Sequence, residues 1–113
     1  MEFETLRNYL LAKPGASEDF PFDETTLVIK VAGKMFALTG INQQPLRLNL
    51  KCDPLQAELL RERYPAVLPG YHMNKRHWNT LVLDGSVPDD EIRAMIDASY
   101  ALVVKGVPRS KRP

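Results

Sequence analysis

The sequence predicts an α+β domain: an antiparallel β-sheet with the N- and C-terminal helices packed on one of its faces. Three observations lead there. The two ends carry apolar residues at helical spacing, Phe3-Leu6-Leu10-Leu11 and Ile92-Met95-Ile96-Ser99-Tyr100-Val103. Between them lie short runs that are β-branched or alternate with period two, most clearly Leu46, Leu48 and Leu50 against Arg47, Asn49 and Lys51. The length of 113 residues suits one core, since a chain of this size buries roughly two-thirds of its unfolded surface. Residues 1–113 are therefore expected to form a single domain, with a basic C-terminal tail from about residue 106.

Each element has a local reason. Glu2 and Glu4 sit at the positive end of the first helix's dipole, and Lys13-Pro14-Gly15 stops it. Ala16 to Thr25 mixes four acids with Phe20 and Phe22, too polar for a strand, so a loop is expected with both rings packed on the body. Thr26 to Val31, the Ala32-Gly33-Lys34 turn and Met35 to Leu38 read as a β-hairpin, and Leu46 to Lys51 as the next strand. Asp53-Pro54 opens a short helix running to about Tyr64, because Asp accepts from free amides and Pro lacks the amide that the first turn cannot use. Pro65, Pro69 and Gly70 predict a loop, Trp78 to Leu83 a strand, and Ser86 with Asp89 a capping box for the last helix.

Composition excludes several function classes. A lone cysteine, Cys52, forms no internal disulfide, and Met1 to Tyr9 carry Glu2 and Glu4 where a signal peptide needs positive charge, so a cytoplasmic protein is expected. No apolar run approaches the roughly 20 residues of a membrane span. The glycines stand apart in turns, which leaves nucleotide hydrolysis without a phosphate loop. His72 and His77 are five apart, a spacing foreign to zinc sites, and with Cys52 they make only three candidate ligands; no metal, cofactor or catalytic residue is expected. A Cys52–His72 nucleophilic pair is disfavoured because Asp53, next to the thiol, opposes the thiolate. Net charge is only +1, but acids dominate the chain through Glu24 and only bases follow Asp97. A short basic tail is most simply a solvated one.

Pro69 to Asn79 is the most informative segment. It gathers both histidines, the single tryptophan and adjacent Lys75 and Arg76 into eleven residues that enter a strand. Were the strand to begin at Arg76, Arg76 and Trp78 would share one face and His77 and Asn79 the other. Lys75 and His77 would then lie beside Arg47, Asn49 and Lys51. Lys75, Arg76, His77, His72, Asn74, Asn79, Arg47 and Lys51 are the candidate nucleic-acid contacts, supplying cations for phosphates with amide and imidazole groups for polar contacts. Against this, Trp78 reads as a core or hinge anchor and the histidines as hydrogen-bonded structural residues.

Lys13-Pro14-Gly15 before an acidic aromatic loop, the Lys30 to Phe36 hairpin, Leu48 to Pro54, Pro69 to Asn79 and Ile96 to Tyr100 together resemble the MmcQ/YjbR family. His72 to Trp78 is the most specific of these pieces. The resemblance implies a CyaY-like fold and a DNA-binding role, and it brings no reaction and no catalytic residues. A frataxin-like fold raises the question of iron, but the first helix offers only Glu2 and Glu4. DNA is thus the expected partner. The alternative is a protein-interaction or chaperone-like module that offers its open sheet face to a peptide.

Overall fold

The computed structural model describes residues 1–70 and 73–113. Among these, helix α1 (Phe3–Leu11) precedes strands β1 (Ala16–Asp19), β2 (Thr26–Val31), β3 (Lys34–Gly40) and β4 (Arg47–Lys51). Helix α2 (Pro54–Arg63), strands β5 (Val67–Pro69) and β6 (Trp78–Val82) and helix α3 (Asp89–Lys105) follow, with a short 3-10 helix at Arg109–Lys111. The strands form one antiparallel sheet in the order β1-β2-β3-β4-β6-β5. This is the expected α+β architecture.

Residues that pair across a ladder share a face, so the register sorts the sheet into two sides. Ile29, Ala37, Leu50 and Asn79 form one such row, and Leu48, Leu81 and Val67 another. The apolar members of these rows pack with Leu6 and Leu10 of α1 and with Ile92, Met95, Ile96 and Val103 of α3 in one core. Each fully buried aliphatic side chain contributes on the order of 1.5–3 kcal/mol. The terminal helices therefore share a face, as their apolar stripes predict. The other face carries Met35, Leu38, Arg47, Asn49, Lys51, Trp78 and Thr80.

Ser99 interrupts the apolar stripe of α3 for a reason. The β3–β4 ladder runs Thr39–Leu48, Leu38–Asn49 and Ala37–Leu50, and a register shift between β2 and β3 falls beside Phe36. At the next step, Phe36 opposite Lys51, the Ser99 hydroxyl donates to the Phe36 carbonyl at 2.6 Å and accepts from the Lys51 amide at 2.9 Å. A buried helix side chain thus completes the ladder where the strands part. Phe36 stands edge-on to Tyr100, ring centroids 5.3 Å apart.

The β2–β3 turn puts Ala32 and Gly33 at φ of 51° and 78°, the two left-handed positions of a tight hairpin turn. Asp53 caps α2 as expected, its carboxylate accepting from the Leu55 and Gln56 amides. Four local expectations are corrected. Ala16 to Asp19 is an edge strand rather than loop: its backbone pairs with β2, while Glu18 pairs with Arg7 and Asp19 with Lys30, so an edge needs no apolar face. Phe20 and Phe22 do not pack on the body; they are 44% and 64% exposed. Val67–Pro69 adds a three-residue edge strand where prolines predicted only loop, because an edge position spares the missing amide. Ser86 does not cap α3: its amide and hydroxyl both donate to Asp84, closing the preceding turn.

Two further ties fix α1 against α3. Tyr9 donates to Asp97 at 2.7 Å and Lys13 forms an ion pair with the same carboxylate. Tyr100 donates to the Pro14 carbonyl. The basic tail is partly bound back, with Arg112 donating to the carbonyls of Val107 and Lys105.

Candidate nucleic-acid interface

The turn that leads into β6 is built around Asn74 and Arg61. The Asn74 side chain accepts from the Arg76 amide at 3.0 Å, and its carbonyl accepts from the His77 and Trp78 amides. Arg61, on α2, donates to the Lys75 carbonyl, to the Trp78 carbonyl at 3.4 Å and to the Asn79 Oδ1 at 2.8 Å. One guanidinium fork thus fixes both ends of the Lys75-Arg76-His77 turn. Nothing in the apolar pattern announces Arg61, yet its position four residues after buried Ala57 places it on the inner face of α2.

The strand starts at Trp78, two residues later than the alternation of side chains required for Arg76 to join it. Its register also reverses the expected faces. Trp78 pairs with Lys51 and looks out over the open face, while Asn79 pairs with Leu50 and turns toward the helices. Asn79 is 2% exposed, accepts from Arg61 and donates to the Ala57 carbonyl. It is an internal brace and not a surface contact. Trp78, expected as a core or hinge anchor, is half-buried on the open face rather than in the core.

Of the other candidates, Arg47, Asn74, Lys75 and Arg76 are exposed, and Lys51 and His77 half-buried. His72 lies outside the described residues. Lys51 and Trp78 are direct cross-strand neighbours, and Arg47, Asn49 and Lys51 share their face by alternation. Among the described residues, Arg7, Lys13, Lys30, Arg63 and Arg93 pair with carboxylates, whereas Arg47, Lys51, Lys75 and Arg76 do not. Lys34, Arg61 and Arg112 donate to carbonyl oxygens instead, and Lys105, Arg109 and Lys111 near the C-terminus also lack a carboxylate partner. Lys51, Lys75 and Arg76 gather near Trp78, and Arg47 stands at the other end of β4.

The open face is concave. A pocket of about 570 Å3 is floored by Met35, Leu38, Asn49 and Thr80, walled by Trp78 and Asn74 at one end and by Phe22, Asp23 and Arg47 at the other. Thr80 donates to Asn49 across the floor at 2.5 Å. Asp23 is held below the usual carboxylate range by the Thr25 amide and by the hydroxyl and amide of Thr26. Gly70 explains how the Trp78 wall is seated: a Cβ there would lie 2.7 Å from Trp78 Cβ and 2.9 Å from its carbonyl, so only glycine admits that approach.

Elsewhere the described residues contain no group of three or more His, Cys, Asp and Glu side chains able to hold a metal. Burial pushes the Cys52 thiol up and Asp53 adds to the effect, outweighing the opposing Arg61. The thiol is therefore a poor nucleophile at neutral pH. No described helix is long and apolar enough to cross a membrane.

Comparison with known proteins agrees with the fold throughout. The chain is 40% identical to YjbR of Escherichia coli over 112 residues, which is 99% of this chain and 95% of that protein. It is 31% identical to YyaQ of Bacillus subtilis over 114 aligned positions, 88% of this chain and 95% of that one. A crystal structure of a Deinococcus radiodurans protein matches with a TM-score of 0.91 and 45% identity, covering 96% of this chain and 83% of the other. A Pseudomonas syringae protein matches with a TM-score of 0.77 and 29% identity, covering 90% and 98%. The family model YjbR matches residues 11–102, a span holding all six strands and every candidate contact, and the chain belongs to the YjbR family.

Proposed function

We propose that this protein is a non-catalytic DNA-binding module of the cytoplasm, acting as one domain over residues 1–113. Its contact surface is the open sheet face with the turn beside it. Arg47, Lys51, Lys75 and Arg76 contact phosphates, and His77 and Asn74 border them. His72 is retained as a candidate from the sequence, and Asn79 is dropped because its amide is spent inside. The observation that carries the reading is a grouping of cations without carboxylate partners: Arg47 and Lys51 on the open face, and Lys75 and Arg76 in the turn that leads to half-buried Trp78. Uncompensated Lys and Arg on a shared surface are what phosphate binding uses.

The test is an anisotropy titration of labelled DNA against salt. Four phosphate contacts give a slope of log K against log salt of about −3 to −4, or roughly a hundredfold loss between 50 and 200 mM. Lys75→Ala with Arg76→Ala flattens that slope by about 1.5 to 2. Absence of binding at low salt, or a slope untouched by the double substitution, sinks the reading.

A second reading, a protein-interaction module, is favoured by Phe22, which lines the same pocket and is 64% exposed. Binding to a peptide there survives moderate salt and fails on Phe22→Ser, which separates it from DNA binding.

A further inference from the structure

From the shape of the open face we infer that its pocket accepts one unpaired nucleotide, so that the preferred ligand is single-stranded rather than duplex DNA. The inference rests on the DNA-binding reading and names its substrate class.

Phosphate contact alone asks for a cationic surface, flat or convex, and gives no use to a cavity. Here the same face holds a cavity of about 570 Å3 with Arg47 in its lining, within the range of about 300–1,000 Å3 typical of small-ligand sites and ample for a base with its sugar. A base in a duplex is stacked on both sides and cannot enter it; a base on a single strand is free to. The lining suits a planar heterocycle. Trp78 provides a half-buried indole at one wall, Met35 and Leu38 an apolar floor, and Asn49 an amide at the depth a base edge would reach.

Charge fixes the orientation. Lys51 pairs directly with Trp78, and Lys75 and Arg76 precede it in the chain, so uncompensated positive charge collects at the tryptophan end. Asp23 places an ionised carboxylate at the far end, beside Arg47. The strand's phosphates therefore follow the Trp78 end, and the base points inward toward Asn49. Stacking on one aromatic ring with cations along the backbone is the combination that single-strand binders use.

Trp78 is the single tryptophan, so its fluorescence reports the pocket directly in the unaltered protein. The experiment titrates wild-type protein at low salt with a thymidine oligonucleotide, an oligonucleotide of equal length made of abasic residues, and a duplex. The expected result is quenching of Trp78 by the thymidine strand alone, which binds roughly tenfold tighter than the abasic strand, the worth of one stacked base. Equal, salt-sensitive binding of thymidine and abasic strands without quenching overturns the base pocket and leaves the phosphate surface standing. Tighter binding to the duplex overturns it as well. No binding by any of the three overturns both.

Discussion

Replacing Arg61 measures how much of the candidate interface is held from behind. Its guanidinium satisfies three acceptors: the side-chain oxygen of Asn79 at 2.8 Å, the Trp78 carbonyl at 3.4 Å and the Lys75 carbonyl. Asn79 is 2% exposed, so its oxygen finds no water when the donor is removed, which costs about 1–3 kcal/mol. Lys75 is exposed, so its carbonyl recovers a water partner. Arg61→Met, which keeps much of the apolar stem, should therefore destabilise by about 1–3 kcal/mol. For a chain of this size that lowers Tm by roughly 4–12 °C. Arg61→Lys should recover little, since one ammonium cannot present the planar fork. Urea unfolding followed by circular dichroism is the assay, with a shifted midpoint and an unchanged m-value expected. DNA affinity should fall too, although Arg61 itself makes no contact with the ligand, because the Lys75-Arg76-His77 turn loses its anchor. A variant within about 0.5 kcal/mol of wild type would refute the bracing role, since that is the range of substitutions away from such features.

Two further outcomes follow from the same geometry. Ser99→Ala removes the bridge between the Phe36 carbonyl and the Lys51 amide, leaving two backbone groups without partners; a loss of about 2–3 kcal/mol in denaturant unfolding is expected. Asp97 links α1 to α3 and has a pH signature. Partial burial opposes its ionisation, but Lys13 and Tyr9 prevail and hold its carboxyl below the usual range. A depressed carboxyl stabilises the fold above its unfolded pKa of about 4, and that stability is lost as pH falls through the lower folded value. Asp97→Asn should therefore lower Tm at pH 7 and converge with wild type near pH 2. The difference at pH 7 is about 0.5 kcal/mol, at the low end because the Asp97 side chain is 48% exposed and screened by solvent.

The sequence made most of the scaffold legible because its main elements carry strong period signals. Both terminal helices, the β2–β3 hairpin, β4 and the Asp53-capped α2 appear where apolar spacing and turn residues put them. Ser86 is claimed by Asp84 two residues away, but the misses in the sheet share a cause: each is decided by a neighbour distant in sequence. β1 is polar along its length and becomes a strand only because β2 offers it a backbone edge. The faces of β6 depend on register against β4, which alternation within β6 alone leaves undetermined. Pairing with Lys51 sends Trp78 outward and Asn79 inward. Size and hydrophobicity favoured the reverse, and Arg61, eighteen residues from Asn79, makes the buried amide affordable. The cluster of cations was visible in the sequence. The cavity on the same face was not, because its lining comes from residues far apart in sequence, Phe22, Arg47 and Trp78 among them.

The most direct measurement is a titration of 15N-labelled protein with a short thymidine oligonucleotide at low salt, following backbone amides and the Trp78 indole. The account predicts shifts concentrated at Arg47, Asn49, Lys51, the Lys75-Arg76-His77 turn and the Trp78 indole, with the outward faces of α1 and α3 unmoved. Shifts confined to the basic tail from Lys105 to Arg112, or none at all, would contradict the open sheet face as the binding surface.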